Sequence, residues 1–279
     1  MPEEHRPPRT SVGPPRFWDW IDLTDLWHYR DLFREFAAKD VKLRYKQTVL
    51  GALWAILQPF MMMVVFTLVF SRIAGLPSQG IPYPVFNFAA LLPWTLCAQG
   101  VARSSESLVA NMLILTKVYF PRLVLPTAAI AGCLVDFLLA SIVLAGLMIY
   151  YGVHPNGVYV IFLPAFLALV LITTLGVGLW LAALNALYRD IRYVVPFATQ
   201  LWLFATPVVY AASSVPEAWQ IVYPLNPMVG AVEGFRWSLL GTPAPSLWTI
   251  LASSGVAVML FLTGLMYFRI TEQKVADVI

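Results

Sequence analysis

Six stretches of this chain, Val49–Phe70, Val85–Ala102, Leu123–Tyr151, Val158–Leu187, Tyr193–Ser214 and Leu247–Phe268, run for 18 to 30 residues with one charged side chain among them, Asp136. A helix rises about 1.5 Å per residue, so about 20 apolar residues cross the hydrocarbon core of a bilayer. In that medium every backbone N–H and C=O must be bonded within the protein, which for segments of this length means helix. The sequence predicts an all-α integral membrane protein with six transmembrane helices. The third and fourth stretches exceed the length of a span, so tilt or extension past the membrane is expected. Only 12% of the residues are charged, against about 25% in a soluble domain, too few to cover a globule in water.

The distribution of Lys and Arg sets an orientation. Nine precede the first stretch, three follow the second (Arg103, Lys117, Arg122), two follow the fourth (Arg189, Arg192) and two follow the sixth (Arg269, Lys274). The other side holds Arg72 and Arg236 alone. By the positive-inside rule both termini are expected in the cytoplasm. The run Lys39, Lys42, Arg44, Lys46 then lies where cytoplasm meets lipid headgroups, each charge contributing about 1 kcal/mol near an anionic leaflet.

Residues 1–23 are Pro-rich and aperiodic and read as a flexible tail. They have no apolar core or cleavage site of a secretory signal, so the N-terminus is expected to be retained. Over 24–48, Leu26, Tyr29, Phe33 and Phe36 fall on one helical stripe. This predicts an amphipathic helix, lying flat on the membrane or packed on a soluble partner. Residues 49–269 form the membrane domain and 270–279 a cytoplasmic tail.

Several polar features interrupt the apolar pattern. Asp136 lies deep in the third stretch, where a carboxylate is a functional candidate or a hydrogen-bonded packing group, and its partner is not legible. Gln58-Pro59 sits inside the first and predicts a kink, because Pro removes a backbone hydrogen bond. Trp54, Gln58, Phe60, Phe66, Trp202 and Phe204 lie deep enough to line a passage, with lipid-facing or packed rings as the alternative. The segment 214–246 is too apolar for a free loop and its halves are too short to span. It predicts a re-entrant helical hairpin. Its second limb is a helix over Pro227–Leu240 with Pro at the start and Gly241 just past the end. Asn226 and Pro227 mark its turn, and Glu233 and Arg236 are spaced to pair. Between the second and third stretches, Leu113, Leu115, Val118, Tyr119 and Phe120 are too apolar for water and should dock onto membrane helices or a soluble partner.

No phosphate-binding loop, zinc-protease motif or paired-carboxylate site occurs, so ATP hydrolysis by this chain is not expected. Cys97 and Cys133 lie in apolar stretches and read as packing residues, with no metal site. Asp40 and Asp190 stand alone in the sequence, which argues against a membrane-bound glycosyl- or phosphotransferase. One buried acid and no evident inverted repeat argue against a secondary transporter.

Five motifs in this order, "KDVKLRYKQTVLGALWAILQP", "NMLILTKVYFPR", "YRDIRYVVPF", "TPVVY" and "YPLNPMVGAVEGFRWSLLG", resemble the membrane subunits of polysaccharide ABC exporters. The similarity runs from about Asp31 to the C-terminus and is nearer to O-antigen and teichoic acid exporters than to capsule exporters. It implies a bacterial inner-membrane permease that works as a homodimer with two copies of a separate ATPase. That ATPase would bind ATP and Mg, so no cofactor is expected in this chain and no nucleic acid partner. The implied substrate is a polyprenyl-pyrophosphate-linked polysaccharide. The resemblance makes 24–48 an interface helix, and Arg30, Arg34, Leu115, Lys117, Val118, Tyr119 and Phe120 ATPase-coupling residues. An O-antigen is the favoured cargo; a teichoic acid or capsular polysaccharide exporter, or a drug, lipid or haem exporter of the same superfamily, is the alternative.

Overall fold

A computed structural model gives the structure of the protein and describes residues 29–46, 51, 53–118 and 120–278, the last six as backbone only. Among these residues every regular element is helical. The α-helices are α1 (Arg30–Tyr45), α2 (Leu53–Phe66), α3 (Tyr83–Ala110), α4 (Met112–Leu115), α5 (Val124–Tyr150), α6 (Leu163–Leu187), α7 (Ile191–Phe204), α8 (Pro227–Leu240) and α9 (Leu247–Val278). The expected tail 1–23 and the starts of the expected interface helix and first span lie outside the described residues, as does Tyr119.

Five helical segments are long and apolar enough to cross a membrane. They are α2 with a π-helical continuation to Ile73, α3, α5, α6 with a 3-10 turn before it, and α9 as far as Glu272. The expected fifth span, Tyr193–Ser214, is not one continuous helix. Its helix α7 has 14 residues and stops at Phe204, and Ala205–Ala211 folds into turns. Pro207 causes the break: it has no N–H to give, its ring obstructs the preceding turn, and it disfavours helical backbone at Thr206. The apolar run continues across this break, so hydropathy carries no sign of it.

α3 is the axis of the bundle. Of its most apolar window 78% is buried, against 17% for α2 with its extension and 22% for α9. Those two therefore lie on the flanks. Helix association inside a membrane relies on close packing of small residues. A Cβ on Gly264 of α9 would stand 2.4 Å from the carbonyl oxygen of Gly176 on α6, so only glycine permits this approach. The Asn185 amide donates to the Ser105 carbonyl at 2.8 Å, tying α6 to α3. Trp180 stacks on Tyr267 at 4.3 Å between α6 and α9. Cys97 and Cys133 are buried, unbridged packing residues.

α8 has the bounds that Pro and Gly predicted. Asn226 caps its start by accepting from the Met228 N–H at 3.1 Å, and Gly241 ends it in the left-handed conformation at φ 70°. The other limb of the expected hairpin is not a helix but three single 3-10 turns, at Ala212–Ser214, Glu217–Trp219 and Tyr223–Leu225. Pro216 and Pro224 keep that limb from closing a regular helix.

Candidate functional site

At the end of the bundle where α1 meets α3 and α5, the structure supplies the partner of Asp136. The Asp136 carboxylate accepts hydrogen bonds from the Arg44 guanidinium and from the Tyr45 hydroxyl. Arg44 also donates to Asp40 at 2.7 Å, and Arg103 approaches Asp40 at 3.7 Å. The chain of charges thus runs Asp136, Arg44, Asp40, Arg103. Arg44 and Asp136 are almost fully buried, at 13% and 10% side-chain exposure, so removing Arg44 would strand a desolvated carboxylate.

This network revises three expectations. Arg44 does not join its neighbours in the basic run at a lipid surface; it turns inward, because a buried carboxylate demands a cation. Asp40 is not isolated. Helix α1 packs against α5 within its own chain: Asp40 meets Gly132, where a Cβ would come within 2.9 Å of its Oδ2, and Arg44 meets Asp136 one turn further on. Matching steps of four on both helices mean that they run side by side here. Phe36 of α1 lies 5.6 Å from Phe120, and Lys39 donates to Asn111 at 3.3 Å.

The same groups wall a cavity of about 460 Å³ between the end of α1, the start of α2 and the second half of α3. Trp54 and Gln58 of α2 face Gln99, Arg103 and Glu106 of α3 across it. Ala55 also lines it, and its carbonyl has no i+4 donor because Pro59 carries no N–H. Two of the expected passage residues, Trp54 and Gln58, are thereby brought together with Asp136. The others are not. Phe66 is buried in the core with its ring 5.6 Å from Phe70, and Phe60 packs on that core. Trp202 and Phe204 lie towards the opposite end on α7, Phe204 exposed.

A second polar node lies there, around the broken end of α7. Arg236 is 1% exposed and donates to the carbonyls of Pro207 at 2.6 Å, Val208 at 2.6 Å, Tyr210 at 3.1 Å and Phe86 at 3.1 Å. Asn226 donates to the Ala205 carbonyl at 3.0 Å and accepts from the Trp202 indole at 2.9 Å. Tyr210 donates to the Phe204 carbonyl at 3.0 Å. The carbonyls released by the break are satisfied by side chains, mostly from α8 and its cap. Glu233 does not form the expected ion pair with Arg236; it accepts from the Ala212 N–H at 3.2 Å, while Arg236 is taken up by carbonyls. Residue spacing on α8 suggested a local pair, but the unpaired backbone of α7 outcompetes it.

The expected coupling residues gather at the α1 end. Arg30, Arg34, Lys117 and Val118 are exposed, Leu115 is half-buried and Phe120 is buried at 4%. Residues missed from sequence are Asp40, Arg44, Tyr45, Gln99, Arg103 and Glu106. The signal available was the placement of Gln99 in an otherwise apolar stretch.

The model of a protein family described as ABC-2 type transporter matches residues 31–240. This chain belongs to the ABC-2 type transporter family. Within the family it is similar to an O-antigen export system permease protein RfbA of Myxococcus xanthus, 31% identical over 258 residues, which cover 91% of this chain and 98% of that protein. A protein of the same name from Klebsiella pneumoniae is 28% identical over 91% of this chain and 97% of its own length. The polysialic acid transport protein KpsM of Escherichia coli is 22% identical over 72% of this chain and 78% of its own. The ABC-2 match begins at Asp31 in the first turn of α1, includes the cavity walls and α8, and ends at Leu240, before α9.

Proposed function

We propose that this ABC-2 chain is the permease subunit of an ATP-driven exporter that carries a polyprenyl-pyrophosphate-linked polysaccharide, an O-antigen, across the bacterial inner membrane to its outer face. The observation that carries this reading is the 31% identity to an O-antigen export permease over nearly the whole of both chains. Both termini face the cytoplasm, a reading that the distribution of Lys and Arg supports. The permease works as a homodimer with two copies of a separate ATPase, which binds ATP and Mg.

The α1 end is the face that meets the ATPase. Arg30 and Arg34 of α1 and Lys117 and Val118 after α4 are exposed there together. Movement of α1 imposed by the ATPase passes to α5 through Arg44 and Asp136, and so to one wall of the cavity. The exposed apolar face of α2 and its π-helical continuation, with Met61, Val65 and Leu68, suits contact with lipid or a second copy. Trp202 and the hairpin stand on the route to the outer face.

The test is co-purification of this chain with the ATPase encoded beside it, in nanodiscs, followed by the rate of ATP turnover. A two-plus-two complex that turns over ATP is expected. A chain that purifies alone and does not bind that ATPase would contradict the reading.

A further inference from the structure

The cavity between α1, α2 and α3 is polar, but its charges cancel. Arg44 and Arg103 line it, and so do Asp136 and Glu106. Asp40 lies behind, within 2.7 Å of Arg44 and 3.7 Å of Arg103. A diphosphate needs a surplus of guanidinium or ammonium charge. Here Arg44 is paired with Asp136 and Asp40, and Arg103 with Asp40, so no positive charge is left over, and a diphosphate would also sit beside Glu106. The cavity is built for an uncharged ligand.

What the cavity does offer is unused hydrogen-bonding capacity. The amides of Gln58 and Gln99 and the carboxylate of Glu106 have no partner among the described residues, although all three line the same space. The Nε of Arg44 is buried with no acceptor. Each amide can donate and accept together, and the carboxylate can only accept. Trp54, half exposed, adds an apolar ring face beside them. Amides and a carboxylate for adjacent hydroxyls, with a flat ring for the C–H face of a pyranose, form the chemistry of saccharide recognition. The volume of about 460 Å³ lies within the roughly 300–1,000 Å³ typical of small-molecule sites.

Resting on the exporter reading, we infer that this cavity binds a neutral sugar residue of the glycan, by Gln58, Gln99, Glu106 and the ring of Trp54, and does not hold the pyrophosphate. The permease therefore reads the saccharide next to the helix α1 that answers to the ATPase.

The experiment is saturation-transfer NMR on the complex of this chain with its ATPase in nanodiscs. The probe is free oligosaccharide released by mild acid from the surface glycan of the source strain. Ring-proton signals are expected from the wild type and should fall at least tenfold in Trp54→Ala and Gln99→Leu. Inorganic pyrophosphate should not displace the oligosaccharide. Gln58→Leu, at an exposed position, gives a third variant with no burial to disturb. Signals unchanged in all three variants, no signal from the wild type, or displacement by pyrophosphate would each overturn the sugar site. Export in cells separates this from the exporter reading. Export that depends on the chain while the sugar site fails leaves the exporter reading standing; export independent of the chain overturns both.

Discussion

Arg236 is held by Phe86 twice: its guanidinium carbon lies 3.6 Å from the ring centroid, and its Nε donates to the Phe86 carbonyl at 3.1 Å. Phe86 on α3 thus fixes the plane of the guanidinium, and the remaining N–H groups reach the carbonyls left open where α7 breaks. A planar fork with five donors suits this task, and a single ammonium does not.

Arg236→Lys is therefore expected to fail as a conservative change. Several carbonyls lose their donor in a water-poor interior, at a cost of several kcal/mol. Glu233→Gln weakens one bond to Ala212 and should cost about 1 kcal/mol. Thermal unfolding of the two variants, followed by size-exclusion fluorescence, should show a much larger drop for Arg236→Lys. Equal drops would contradict the role given to Arg236.

Arg44 and Asp136 should behave as a coupled pair. Asp136→Leu leaves Arg44 buried with Asp40 as its one remaining carboxylate and is expected to cost about 3 kcal/mol. Arg44→Met with Asp136→Leu removes both charges and should recover much of that loss. A double-mutant cycle on unfolding measures the coupling. Additive effects would mean that the two side chains do not meet.

The close approach of α6 and α9 gives a steric test. Gly264→Ala puts a methyl 2.4 Å from the Gly176 carbonyl oxygen and should destabilise by about 1–3 kcal/mol. Gly255→Ala on the same helix meets nothing within 4 Å and should be neutral or slightly stabilising. The two melting temperatures, compared side by side, check the packing.

Phe120 and its neighbours separate packing from coupling. Phe120→Ala empties a buried position against Phe36 and should cost about 3–5 kcal/mol of stability. Lys117→Glu with Val118→Asp changes exposed side chains, so the folded protein should keep its melting temperature while export driven by the ATPase falls. Normal export in that double variant would remove these residues from the coupling surface.

Much of this architecture was written in local pattern. Apolar runs marked the long helices, and Pro227 with Gly241 bounded α8, because hydropathy and backbone preference act within a few residues. The break in α7 was also local, in Thr206-Pro207, but an unbroken apolar run masked it. The pairings were not legible. Asp136 and Arg44 lie 92 positions apart, and nothing in the periodicity of either helix says that they touch. Arg236 looked like the partner of Glu233 because spacing on one helix is visible, whereas the unpaired carbonyls of another are not. Trp54 and Gln58 could be named as candidates, but Gln99 and Glu106 became their counterparts only once α3 was seen to face α2.

Export by this chain is read most directly in the surface glycan of a strain from which its gene is deleted. Electrophoresis of surface polysaccharide, with extraction of lipid-linked glycan from the inner membrane, reads both sides of the transport step. Surface O-antigen should disappear, lipid-linked glycan should accumulate inside, and the wild-type chain should reverse both. Surface glycan at normal levels in the deletion strain would contradict export by this chain.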